Sequence, residues 1–176
     1  MSKGFTHEST YNESQEWYTP RYIFEALNYR FDLDPCSPGA DIAPWIPADK
    51  HYTYHENGLM MPWSGRVWMN PPYGMDTQAW LNKLALHGDG IALVFARTDT
   101  AWFHRYVSLA SGVVFIRGRI QFVKSVDAAD YTNEKVKPSG GCGAASMFIS
   151  YGGACCDIIR DSGLGMFFKQ PEPNHD

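Results

Sequence analysis

Val67-Trp68-Met69-Asn70-Pro71-Pro72-Tyr73-Gly74 is the stretch on which the fold turns. Three apolar residues, entered through Arg66, stop abruptly at an asparagine and two prolines, which predicts a buried strand running into a rigid turn. Just downstream, Trp80, Leu81, Leu84 and Ala85 recur at helical spacing between Asp76 and Gly88, so a helix capped by Asp76 is expected over 76–87. The run from Ile91 to Phe95 is almost continuously apolar, as a strand covered on both faces requires. Upstream, Phe31-Asp32-Leu33-Asp34 alternates before Pro35 and predicts a short strand ending at Asp34. Thr19-Pro20 predicts a capped helix start, with Ile23, Phe24 and Leu27 on the buried stripe of a helix over 20–29. Strand and helix alternate around the quoted stretch, which argues for an α/β sheet that is mostly parallel in its first half.

The second half reads differently. Asp99 is expected to cap a helix carrying Trp102, Phe103, Tyr106 and Val107. Residues 113–116 and 120–123 form two strand pieces split by Arg117-Gly118-Arg119, and 145–151 a further strand, so the sheet should turn antiparallel here. The stretch 35–62 holds five prolines and no long period and is expected to be loops and turns. Residues 1–15 are polar and read as a flexible arm, 16–176 as one domain, and the polar, glycine-containing stretch 125–143 as a mobile loop.

Composition narrows the functional classes. A chain of 176 residues with 44% hydrophobic and 15% aromatic residues supports one core and one active site. Its net charge of −4 has the wrong sign for coating nucleic acid by bulk electrostatics, so any such contact must come from a local basic patch. The four cysteines form no CxxC pair, and Met1-Ser2-Lys3-Gly4-Phe5 opens directly into polar sequence, so reduced thiols in an intracellular protein are expected. No apolar run approaches the ~20 residues a membrane span needs. His51 and His55 are the nearest approach to a metal pair, fewer than the three or four ligands of a zinc site, and no metal is expected.

The chemistry lies in Asn70-Pro71-Pro72-Tyr73, placed beyond the carboxyl end of a strand, where open α/β sheets bind ligands. The exocyclic amine of a base is a poor nucleophile because its lone pair is delocalised into the ring. The Asn70 side-chain oxygen and the Pro71 carbonyl can each accept one amine N–H and localise that lone pair for in-line attack on a methyl sulfonium. Pro71 and Pro72 fix φ and hold the acceptors rigid, and Tyr73 offers a ring on which a base swung out of a duplex can stack.

At this point the chain resembles the amino-methyltransferase superfamily, whose signature is (Asp/Asn/Ser)-Pro-Pro-(Tyr/Phe/Trp), and more narrowly the phage-type Dam family of DNA adenine-N6 methyltransferases. The resemblance is carried in order by Glu16-Trp17-Tyr18-Thr19-Pro20, Phe31-Asp32-Leu33-Asp34-Pro35-Cys36-Ser37, Asn57-Gly58-Leu59, the quoted stretch, Ala96-Arg97-Thr98-Asp99-Thr100 with Trp102-Phe103-His104, and Phe115-Ile116-Arg117-Gly118-Arg119, covering most of 16–150. It implies a Rossmann-like methyltransferase sheet with S-adenosylmethionine as cofactor. The helix start at Thr19-Pro20, with Trp17 and Tyr18, would then lie against the cofactor's methionine part. Asp34, with Pro35 and Cys36, would face the cofactor at the sheet crevice, and Asn57 the adenosine, at a position where relatives often carry an acidic residue. Asn70 would serve both cofactor and catalysis. The usual glycine-rich loop after the first strand is absent; Asp34-Pro35-Cys36-Ser37-Pro38-Gly39 stands in its place, an abbreviated loop like that of the phage-type family.

The same resemblance implies double-stranded DNA as partner, possible GATC specificity, and a phage- or prophage-encoded enzyme in the bacterial cytoplasm, as monomer or homodimer. Arg97, Thr98, Arg117, Arg119, Lys124, Lys135 and Lys137 are the expected DNA contacts, with 125–143 as recognition loop. Two other readings stay open: a methyltransferase for a protein glutamine or RNA acceptor, because the tetrapeptide also occurs in glutamine-amide methylating enzymes, and a catalytically silent DNA-binding module, because the glycine-rich loop is missing.

Overall fold

The computed structural model describes residues 17–74, 76–132, 140–141 and 143–171; the expected arm 1–15, Lys135 and Lys137 lie outside them. The elements in chain order are β1 (Trp17–Tyr18), α1 (Arg21–Leu27), β2 (Phe31–Asp34), β3 (Ala48–His51), β4 (Val67–Met69), α2 (Thr77–His87), β5 (Gly90–Phe95) and α3 (Ala101–Val107). They continue with β6 (Gly112–Ile116), β7 (Gln121–Lys124), a 3-10 turn (Ser125–Asp127), α4 (Ala128–Thr132), β8 (Gly140–Gly141), β9 (Ser146–Tyr151), α5 (Gly153–Asp161) and β10 (Gly165–Lys169).

Seven strands form one mixed sheet in the order β10-β6-β9-β5-β4-β2-β3. The four strands β3, β2, β4 and β5 run parallel, whereas β9 is antiparallel to both β5 and β6, and β10 is antiparallel to β6. This is the expected change of sense from the first half to the second. Alternation along the strands divides the core in two. Trp68, Ile91, Leu93, Val114 and Phe148 pack with Ile23 and Phe24 of α1 and Ile159 of α5; Val67, Met69, Ala92, Val94, Met147 and Ile149 pack with Leu81 and Leu84 of α2 and Tyr106 of α3. Helices therefore cover both faces, which explains why β5 needs no polar side. Trp68, only 1% exposed, is the centre of the first face, with ring centroids 4.8, 5.7 and 6.2 Å from Phe24, Phe31 and Phe148.

A second, three-stranded sheet in the order β1-β7-β8 joins the segment before α1 to the second half of the chain. Ile120, Phe122 and Val123 of this region belong to the same buried cluster as Trp68. Residues 113–116 and 120–123 thus enter different sheets, with Arg117-Gly118-Arg119 as the crossing point; Gly118, at φ 77, permits the turn.

Several expectations are corrected. Pro20, not Thr19, is the N-cap of α1, which ends at Leu27 with Asn28 left-handed at φ 46. Thr100 rather than Asp99 caps α3, its hydroxyl accepting from the Phe103 N–H at 3.3 Å. Within the proline-rich stretch, β3 is a strand, paired through its backbone with β2. Residues 125–132, expected as mobile loop, are helical, because Tyr131 is anchored: its ring lies 4.7 Å from Trp45, edge to face, and its hydroxyl accepts from the Arg21 N–H at 2.8 Å.

Candidate active site

The chain leaves β2 for the outer strand β3 and then returns past β2 to β4, so the carboxyl ends of β2 and β4 flank the point where connections diverge. In open α/β sheets such a point is where ligands bind, in the crevice beyond the strand ends. Asp34 closes β2 on one side, and Asn70 follows Met69 of β4 on the other.

Asp34 is 2% exposed, and its one side-chain hydrogen bond among the described residues comes from the Cys36 N–H at 3.0 Å. Burial pushes its carboxyl up to about 7, with the Cys36 N–H opposing. The folded chain thus holds this proton more tightly than the unfolded one, so the group's favourable contribution is complete below pH ~4 and is lost as pH rises towards 7. Between pH 5 and 8 the wild type should lose about 2–3 kcal/mol that Asp34→Asn does not, checked by urea unfolding of both proteins across that range.

The rest of the abbreviated loop is tied down. Ser37 Oγ is 2.8 Å from His51 Nδ1, and His51 Nε2 is 3.1 Å from the Ala48 carbonyl, so Nε2–H donates to the carbonyl and Nδ1 accepts from the serine. Both ring nitrogens are thereby engaged, and burial holds the imidazole below its usual pKa. Gly58 packs so closely that a Cβ there would fall 2.0 Å from the Pro35 carbonyl oxygen. Its neighbour Asn57 is left-handed, at φ 53, and exposed.

On the other side of the crevice the Asn70 amide donates from Nδ2 to the Trp17 carbonyl at 3.3 Å. A carbonyl can only accept, so this contact fixes which end of the amide is the NH2 and turns Oδ1 the other way. There Oδ1 receives the Tyr73 hydroxyl across a long 3.4 Å bond. Tyr73 lies flat on Phe95, ring centroids 3.8 Å apart at 10°. Thr77 ties the turn to α2, donating to the Pro72 carbonyl at 3.0 Å and accepting from the Gly74 N–H at 3.2 Å.

The structure thus brings Trp17, Asn70 and Tyr73 into contact, and Gly58 against Pro35, with Asn57 exposed beside it. Thr19 is buried, and its Oγ1 has no hydrogen-bond partner among the described residues; its carbonyl accepts from Trp45 Nε1 at 2.9 Å. Tyr18 is buried in β1, and Pro20 is the N-cap of α1. Of the basic residues, Arg97 and Thr98 follow β5 two and three positions beyond Phe95 and are exposed. Arg117 and Arg119, also exposed, follow β6, which runs parallel to β5 and so ends at the same sheet edge. Lys124 pairs across strands with Trp17 and sits 5.6 Å over its ring. Phe95, Trp63 and Lys83 were not legible as site residues: an apolar residue at a strand end and a lysine on a helix carry no distinguishing pattern.

Among the described residues no three His, Cys, Asp or Glu side chains converge, and no helix is long and apolar enough to cross a membrane. An open three-layer α/β sheet with an asparagine-proline turn and a buried acid at its switch point defines a protein of the crevice-binding α/β class. A family profile described as DNA N-6-adenine-methyltransferase (Dam) matches residues 7–147. The match spans most of the chain, and the protein belongs to the Dam family of DNA N-6-adenine methyltransferases. No curated protein and no solved structure matches it.

Proposed function

We propose that the protein transfers a methyl group from S-adenosylmethionine to the N6 amine of an adenine swung out of duplex DNA, on a Rossmann-like methyltransferase sheet. The observation that carries this reading is the orientation of Asn70. Its Nδ2 is held by the Trp17 carbonyl, so its Oδ1 is turned outward as an acceptor, engaged among the described residues by a long bond from Tyr73. An incoming amine N–H displaces the tyrosine hydroxyl, and the Pro71 carbonyl accepts the second N–H. Tyr73 stacks on Phe95, so an entering adenine would meet an aromatic pair at the turn.

The residues present fit the cofactor. The buried Asp34 carboxylic acid, the buried Thr19 hydroxyl that has no partner among the described residues, and the left-handed Asn57 offer polar groups to the cofactor's ribose and amino-acid parts. Asp34, Pro35, Cys36 and Asn57 would hold its adenosine part, and Trp17, Tyr18, Thr19 and Pro20 its methionine part. When bound, it supplies an electrophilic methyl group. Asn70 positions the amine, and the proton lost by the nitrogen passes to Asn70 Oδ1 or the Pro71 carbonyl on its way to solvent.

Arg97, Thr98, Arg117, Arg119 and Lys124 form the basic side of the same edge and hold the phosphates, with Lys135 and Lys137 as further contacts and GATC as the sequence to test first. Replacing Arg117 with alanine should weaken DNA binding across all sequences and lower the slope of log affinity against log salt by about 1, read by fluorescence anisotropy in a salt series. Such an enzyme works in the bacterial cytoplasm from a phage or prophage gene, as monomer or homodimer.

The deciding experiment is transfer of tritiated methyl from S-adenosylmethionine to unmethylated duplex DNA, followed by nucleoside analysis. N6-methyladenine is the expected product. Label in RNA or in protein instead, with DNA unlabelled and cofactor bound, would overturn the acceptor; no binding of S-adenosylmethionine, with or without DNA, would leave a DNA-binding module.

A further inference from the structure

The missing glycine-rich loop leaves the second wall of the crevice to the segment 57–61, and that segment is held from α2. The Lys83 ammonium donates all three of its N–H groups to main-chain carbonyls, those of Gly58 at 3.2 Å, Leu59 at 2.7 Å and Met61 at 2.5 Å. Its charge lies 4.8 Å over the Trp63 ring, and Trp63 Nε1 donates to the same Gly58 carbonyl at 2.8 Å. Gly58 in turn abuts Pro35, and Asn57 is left-handed. Three carbonyls converging on one point repel each other, so without a cation this loop has no reason to close on the Pro35 turn. Lys83 belongs to the helix that begins just after the Asn70 to Tyr73 turn, so one rigid element carries the catalytic turn at its start and the loop clamp one and a half turns on.

We propose that Lys83 is a positioning residue for cofactor binding: by gathering the Gly58, Leu59 and Met61 carbonyls, with Trp63 alongside, it holds Gly58 on Pro35, next to Asp34, and builds the wall that a glycine-rich loop supplies elsewhere. The inference rests on the crevice being the S-adenosylmethionine site.

The test uses Lys83→Met, which keeps the aliphatic stem and removes every donor, and Trp63→Phe, which keeps an aromatic ring but removes the Nε1 donor and part of the indole. Titration calorimetry with S-adenosylmethionine should show affinity about 10- to 100-fold weaker for Lys83→Met and a smaller loss in the same direction for Trp63→Phe. KM for the cofactor should rise while kcat at saturation changes little. Amide exchange of residues 57–61 should quicken in both variants without ligand. Equal cofactor affinity in folded Lys83→Met and wild type would overturn the role of Lys83 and leave the cofactor site standing; a wild type that binds no S-adenosylmethionine would sink both. Should Lys83→Met not fold, unchanged affinity and unchanged exchange in Trp63→Phe overturn the inference by themselves.

Discussion

Asn70→Ala is expected to lower kcat for methyl transfer to DNA by about 10²- to 10³-fold, the usual cost of removing one preorganised polar group from a reacting centre. The substitution removes the acceptor that localises the amine lone pair and also the amide that ties the turn to Trp17. It leaves Pro71, Pro72 and the Thr77 bridges to the turn in place, so the local backbone should persist. S-adenosylmethionine should still bind, since Asp34 and the 57–61 wall are untouched. Asn70→Asp is the informative companion: it keeps an oxygen acceptor but gives up the donor to the Trp17 carbonyl, and should retain part of the rate. Single-turnover kinetics with calorimetry on the same samples checks both. Full turnover in Asn70→Ala would remove this residue from the mechanism.

Trp68→Ala should destabilise the fold by about 3–5 kcal/mol, the range for deleting a large aromatic side chain from a packed core. Trp68 touches Phe24 of α1, Phe31 of β2 and Phe148 of β9, so its loss opens a void between helix and sheet where relaxation would break other contacts. The measurement is the urea midpoint, with Trp68→Phe expected to cost much less. Because Trp68 lies two residues before Asn70 on the same strand, a surviving fraction of Trp68→Ala should also show weakened turnover.

Much of this was legible in the sequence because the chain states it through burial. Phe31 to Asp34, the β4 triplet and the apolar β5 run had to be strands, and Trp80, Leu81 and Leu84 had to share a helical face. Elements stabilised by partners rather than by pattern were not legible. Ala48-Asp49-Lys50-His51 has no apolar alternation; β3 exists because β2 offers it a free backbone edge. In α5 the buried stripe is Cys155, Cys156 and Ile159, so two cysteines do work normally signalled by leucine. The tetrapeptide marked the candidate turn beyond β4, yet the orientation of its asparagine depends on a carbonyl 53 positions away, which no local spacing encodes. Lys83 was illegible for the same reason, since its partners are backbone atoms of any sequence.

The three-stranded sheet has a consequence for recombining such enzymes. Its strand β1 supplies the carbonyl that aims Asn70, while β7 and β8 bracket the stretch from 125 to 139. Aim and bracket are hydrogen-bonded side by side, so they form one heritable module. A graft that exchanges the bracketed stretch together with β7 sets a foreign edge against β1, and a workable chimaera then takes Trp17–Tyr18 from the same parent.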